Sequence, residues 1–143
     1  MTAQKQKEKL DRQYFMNMAI LLAHKAERAG EVPIGAVIVR DGEVISTAFN
    51  MREKKQNALY HAEVLAIDRA CKKLKSWRLD GCEMFVTLEP CQMCMGAIIN
   101  ARIKRVYFGA SSTTDLNWKT DAVKMENKLC GEMVQKFFTN RRK

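Results

Sequence analysis

The stretch HAEVLAIDRACKKLKSWRLDGCEMFVTLEPCQMCMGAIINARIKRVYFG, residues 61–109, decides the fold. From His61 to Lys75 the apolar residues Val64, Leu65, Ile67 and Leu74 recur at helical spacing, so a helix is predicted with that face buried. Asp80-Gly81 is a turn signal, and Glu83 to Leu88 reads as a short strand. Pro90 suits a first helical turn, so it opens a second helix from Cys91 to about Ala101. Lys104 to Phe108 is again a strand, ended by Gly109. Helix and strand alternate, which places helices against a sheet.

Working outward, Pro33 to Val39 and Glu43 to Phe49 are β-rich runs on either side of Asp41-Gly42, a strong hairpin signal. Asn50 to Asn57 is polar and reads as a loop. Before the hairpin, Leu10, Tyr14, Met18, Leu21 and Leu22 recur at steps of three and four, predicting a helix from about Leu10 to Ala29 stopped by Gly30. After Gly109, Ser111 to Asp121 is polar, with room for one more strand. The chain closes with a helix carrying Met125, Leu129, Met133, Val134 and Phe137 on its apolar side. A hairpin followed by alternating elements implies a mixed sheet of about five strands covered on both faces. The fold class is α/β, a three-layer α/β/α domain spanning 1–143, with residues 1–9 expected to be a flexible basic N-terminus.

At 143 residues the chain suits one domain and needs no disulfide staples. No apolar run approaches a membrane span, and the charged N-terminus has no apolar segment behind it, so neither a membrane protein nor a secretory signal is expected. The net charge is +9, and more than half of it sits in two short ends. Residues 1–12 carry +2 and Arg141, Arg142 and Lys143 add +3. Such ends suit a phosphate backbone, or simply keep a small protein in solution.

Five cysteines without a signal peptide argue for a reducing cytoplasm. Cys71, Cys82 and Cys130 sit among apolar neighbours and read as core. Cys91 and Cys94 are three apart at a helix start, on one face, and can grip one ion together. With His61 they make three ligands of the kind zinc prefers, leaving a fourth position for water, the arrangement of a catalytic zinc site. Glu63 stands two residues from His61, where a carboxylate need not bind zinc and can carry protons to and from that water. Other readings exist. A thioredoxin-type dithiol would need a later proline, and Pro90 is the last one. A structural zinc would need a fourth ligand such as His24, Cys71 or Cys130. Glu63 could also be an ordinary solvated helix residue.

His61-Ala62-Glu63 together with Pro90-Cys91-Gln92-Met93-Cys94 resembles the H-x-E and P-C-x-x-C signature of the cytidine deaminase-like zinc deaminases. Longer segments are similar to bacterial tRNA adenosine deaminases of the TadA type: Gly30 to Val37, Val86 to Cys91, Gly96 to Ile103, Val106 to Ala110, and Phe137-Phe138 ahead of a basic tail. The resemblance covers roughly Tyr14 to Arg142. It implies a cytidine deaminase-like fold, usually a homodimer, converting adenosine to inosine at the tRNA wobble position. It implies His61, Cys91 and Cys94 as Zn2+ ligands and Glu63 as proton shuttle. Asn50 falls at a base- and ribose-contacting position, and Val32, Pro33, Ala62 and Leu88 fall at pocket-wall positions.

The chain departs from that pattern in Ser111 to Trp118, which holds no glycine where the tRNA enzymes usually carry a lysine- and glycine-rich loop. Asn57-Ala58-Leu59-Tyr60 likewise replaces a common D-P-T-like turn. The expected partner is therefore a tRNA anticodon loop or, in a diverged paralogue, a free nucleobase or nucleoside such as guanine, cytosine or adenosine. An RNA-binding pseudoenzyme with structural zinc is the alternative from another class. The intact Glu63 speaks against it.

Overall fold

The computed structural model describes residues 2–112 and 121–141, and its elements follow in the order helix α1 (Ala3–Arg28), strands β1 (Gly35–Arg40) and β2 (Glu43–Phe49), helices α2 (Arg52–Lys55) and α3 (Ala62–Leu74), β3 (Glu83–Leu88), α4 (Gln92–Asn100), β4 (Arg105–Ala110), β5 (Asp121–Lys124) and α5 (Lys128–Arg141). The five strands form one sheet in the order β2-β1-β3-β4-β5. β1 is antiparallel to both β2 and β3, whereas β3, β4 and β5 run parallel. The sheet is mixed, as expected. Its fifth strand lies where the sequence reading left room for one.

Period-two alternation sorts the central strands into two cores. Ala36, Ile38, Met84, Val86, Val106 and Phe108 face α3 and α4, where Leu65, Ala66, Ala70, Met95 and Ile98 cover them. Val37, Val39, Phe85 and Tyr107 face the other way, under Phe15, Met16, Ala19 and Ile20 of α1 and Cys130 and Met133 of α5. The result is the three-layer α/β/α arrangement. Strands buried on both faces read as continuous apolar runs, which is why GAVIVR and EMFVTL are so rich in them.

Two glycines allow the helices of one layer to approach the sheet. A Cβ on Gly35 would sit 2.1 Å from the Ala19 carbonyl oxygen, so α1 crosses directly over the start of β1. A Cβ on Gly109 would meet Cys130 Sγ at 2.5 Å, where α5 lies on β4. Buried Thr87 Oγ1 accepts the Gly35 amide at 3.2 Å and ties β3 to the same place. The hairpin turn is Asp41-Gly42, both residues at positive φ, as a two-residue turn of this kind requires.

Residues 3–9 are helical and continue α1 toward the N-terminus, with Thr2 Oγ1 accepting the Lys5 amide as the cap. Three expectations need correction. The buried stripe of α1 is Phe15, Met16, Ala19, Ile20, Ala23 and Ala26, while Leu10, Tyr14 and Leu21 are more than 60% exposed. Where α1 crosses Gly35 that side carries the small residues Ala19 and Ala23, because the approach is close there. The polar stretch after Asn50 contains the single helical turn α2. Of the three cysteines assigned to the core, Cys82 and Cys130 are buried and Cys71 is half-buried. Of the Ser111–Trp118 loop, residues 113–118 lie outside the described residues.

Candidate metal centre and its surroundings

His61 and Cys91 occupy the same structural position in two helices. Each is the N-cap residue, in extended backbone, of α3 and α4 respectively, and neither side chain bonds back to its own helix. An N-cap side chain that does not cap is free to point elsewhere, and these two point at each other. Cys91 Sγ lies 3.6 Å and Cys94 Sγ 3.5 Å from His61 Nδ1. All three ligand atoms fall within 4.8 Å of one another, and among the described residues no other group of this kind forms. His24, Cys71 and Cys130, weighed as a fourth structural ligand, are not part of it.

The separations fit a tetrahedral ion. Bonds of about 2.3 Å to sulfur and about 2.05 Å to nitrogen at the tetrahedral angle put the two ligand atoms about 3.6 Å apart. The donor set, two thiols and one imidazole, also suits zinc. Burial drives Cys94 strongly toward its thiol form, with the neighbouring Glu63 carboxylate adding to the effect. A thiolate at that depth therefore needs a cation beside it. His61 is held below its ordinary pKa by burial and then by the Arg52 charge, which keeps the imidazole neutral and able to ligate.

Glu63 is 3% exposed and its Oε1 has no hydrogen-bond partner. Burial pushes its pKa up to about 7, against the opposing pull of its own backbone and of Cys94. A buried carboxylate near neutrality with one bare oxygen is equipped to take up and release a proton at physiological pH. Asn50 is the other buried side chain of this kind: it is 4% exposed, its backbone amide donates to the Ile34 carbonyl at 3.1 Å, and its Oδ1 is unpartnered. Unpaired buried oxygens are costly unless something else supplies the donor. Each is a position where a group from outside the chain can supply the missing hydrogen bond.

The remaining expected residues come from several elements. Val32 is half-buried and Pro33 buried, both in the turn from α1 into β1. Ala62 is the first residue of α3 and fully buried, and Leu88 is half-buried at the end of β3, paired with Ala110. Two residues escaped the sequence reading. Arg52 is near enough for its charge to be felt at His61. Glu31 is 1% exposed, and both of its carboxylate oxygens accept backbone amides of α2. The one available signal was a carboxylate placed immediately before the apolar run VPIGAVIV.

Residues 10–142 match the family described as MafB19-like deaminase. The chain belongs to that family. The tRNA-specific adenosine deaminase of Bacillus subtilis (strain 168) is 55% identical over 96 residues, which are 67% of this chain and 60% of that protein. The protein of the same description from Buchnera aphidicola subsp. Schizaphis graminum is 36% identical over an alignment covering 90% of this chain and 95% of that one. A solved structure from work on A-to-I editing by tRNA:A34 deaminases at the wobble position is 37% identical, with a TM-score of 0.73 over 79% of this chain and 98% of that one. The match to the Bacillus protein thus spans less than two thirds of its length. The signature around His61 and Cys91 led one to expect a cytidine deaminase-like protein similar to tRNA adenosine deaminases; the deaminase family match and these relatives bear that out, and the mixed α/β sheet agrees with it.

Proposed function

We propose that this protein is a zinc-dependent hydrolytic deaminase that converts adenosine to inosine at the wobble position of tRNA. The observation that carries the reading is the buried Glu63, with one oxygen bare, beside a His61, Cys91 and Cys94 cluster of tetrahedral dimensions. The named relatives supply the substrate class. His61, Cys91 and Cys94 would hold the ion. When bound, zinc supplies a water activated for attack near neutral pH.

Everything else is done by the chain. Glu63 takes one proton from the attacking water and gives it to the ring nitrogen, then takes the remaining hydroxyl proton and gives it to the departing amine, which leaves as ammonia. Balance requires one water consumed and one ammonia released for each inosine formed. Asn50 Oδ1 offers an acceptor to the base or ribose, and Val32, Pro33, Ala62 and Leu88 form the walls. Three hydrogen-bonded links support this reading by tying the segments that carry these residues together: the Asn50 amide to the Ile34 carbonyl, the Gly35 amide to Thr87 Oγ1, and the α2 amides to Glu31. An anticodon loop presents its base already unstacked, which lowers the cost of inserting it. A homodimer in the cytoplasm belongs to the same proposal. Among the described residues no helix is long and apolar enough to cross a membrane.

The test offers the zinc-loaded protein an anticodon stem-loop with adenosine at the wobble position, alongside free guanine, cytosine and adenosine. Inosine in the RNA, with stoichiometric ammonia, is the expected result. Ammonia from a free base or nucleoside but not from RNA would replace the tRNA reading with that of a small-molecule deaminase.

A further inference from the structure

The α2 turn has no cap of its own. Its N-cap residue is Met51, whose side chain cannot accept a hydrogen bond, and a single turn of helix is unfavourable to nucleate unaided. The missing acceptor comes from twenty residues earlier in the chain. Glu31 Oε1 accepts the Glu53 amide at 3.0 Å and Oε2 accepts the Lys54 amide at 2.7 Å. Both bonds are charge-assisted, and the carboxylate sits at 1% exposure, so they are strong and poorly replaced by water.

Glu31 is itself immobile. Its amide donates to the Ala26 carbonyl at 2.9 Å, closing the C-terminus of α1, and it is followed directly by Val32 and Pro33. Beside it lies a cavity of about 70 Å3 lined by Val32, Arg52, Glu53, Phe137 and Phe138. The segment 50–61 leaves the sheet after Phe49, enters α3 at His61, and is tied between those points by the Met51 amide on the Tyr60 carbonyl at 3.0 Å and by Glu31. One carboxylate therefore joins the turn carrying Val32 and Pro33 to the turn carrying Asn50 and Arg52.

We infer that Glu31 is a positioning residue that clamps the α2 segment against the α1–β1 turn, so that Asn50 and Arg52 stand ready where the substrate enters beside His61. This inference rests on the proposed deaminase reading for its substrate and on the hydrogen bonds alone for its clamp. Glu31 touches neither the ion-binding side chains nor Glu63, so losing the clamp should weaken substrate capture and leave the chemical step and the metal in place.

Glu31→Gln keeps the size of the side chain but removes one acceptor and the charge. Hydrogen exchange in the zinc-loaded protein is expected to rise at the Glu53 and Lys54 amides by roughly tenfold or more, the scale of a lost charge-assisted bond, with α3 and α4 unchanged. On the anticodon stem-loop, KM should rise several-fold while kcat and zinc content stay within a factor of about two, the signature of lost binding shared by ground and transition states. Glu31→Ala should show both effects more strongly; if that variant does not fold, Glu31→Gln decides. Unchanged exchange at Glu53 and Lys54 overturns the clamp. Raised exchange with an unchanged KM, or a fall in kcat in step with lost zinc, overturns its positioning role. Should the wild-type protein deaminate no adenosine in RNA, the functional reading has failed, and the exchange comparison still decides the clamp.

Discussion

Glu63 and the two cysteines carry different kinds of chemistry, and their substitutions should separate cleanly. Glu63→Gln is nearly isosteric and removes a buried ionisable group, so the fold and the metal content should survive. Turnover should fall by at least the roughly 10²–10⁴ that a general acid–base group contributes. Rate and zinc measured on the same preparation check this; a near-normal rate would mean another group moves the protons. Cys94→Ser should instead lose the ion. Its side chain is fully buried and within 3.5 Å of His61 Nδ1, and a hydroxyl is a poor zinc ligand, so metal analysis should fall from about one zinc per chain toward none. These residues were legible because residue type and spacing alone specify a ligand set. Glu31 was not legible, because its role depends on two amides about twenty residues away that no local pattern announces.

At the scale of elements, the close seating of α1 on β1 gives a sharp contrast between two glycines. Gly35→Ala forces a Cβ into the Ala19 carbonyl and the Leu22 Cβ, so α1 has to shift off the sheet. A loss of about 1–3 kcal/mol, or more, is expected in denaturant unfolding. Gly96→Ala, in α4, meets nothing within 4 Å and should stabilise by about 0.5–1 kcal/mol, because alanine restricts the unfolded chain and favours the helix. Equal effects from the two would show that the seating of α1 is not tight. The same contact explains where periodicity misled. The α1 pattern of Leu10, Tyr14 and Leu21 is a true helical repeat, yet the sheet took the neighbouring face of Met16, Ala19 and Ala23, on which the small side chains of Ala19 and Ala23 admit the β1 backbone. In α5 the expected start at Met125 moved to Lys128, because Asn127 Oδ1 accepts the Leu129 amide and begins the helix there. Leu129 is consequently exposed and Cys130 buried.

Across the whole molecule, the basic ends bear on RNA. Removing residues 139–143 deletes Arg141, Arg142 and Lys143, which lie in sequence beyond the pocket-lining Phe137 and Phe138. If all three contact phosphate, the slope of log affinity against log salt for an anticodon stem-loop should flatten by about 2 units, with zinc content unchanged. An unchanged slope would assign those charges to solubility. What the sequence by itself determined is the class of fold and the cluster to look for: alternating helices and strands specify a covered mixed sheet, and His61, Cys91 and Cys94, with Glu63 beside them, have the residue types and spacing that could hold a metal ion, because these follow from local periodicity and ligand spacing. What the tertiary structure alone decided is which faces are buried and what holds the site open. The sheet chose the face of α1 by closeness of approach, and Glu31, Thr87 and Ile34 anchored the surroundings of Asn50 through hydrogen bonds between segments distant in sequence. Such bonds depend on which backbone amides the folded chain brings within 3 Å, and a one-dimensional pattern holds no record of that.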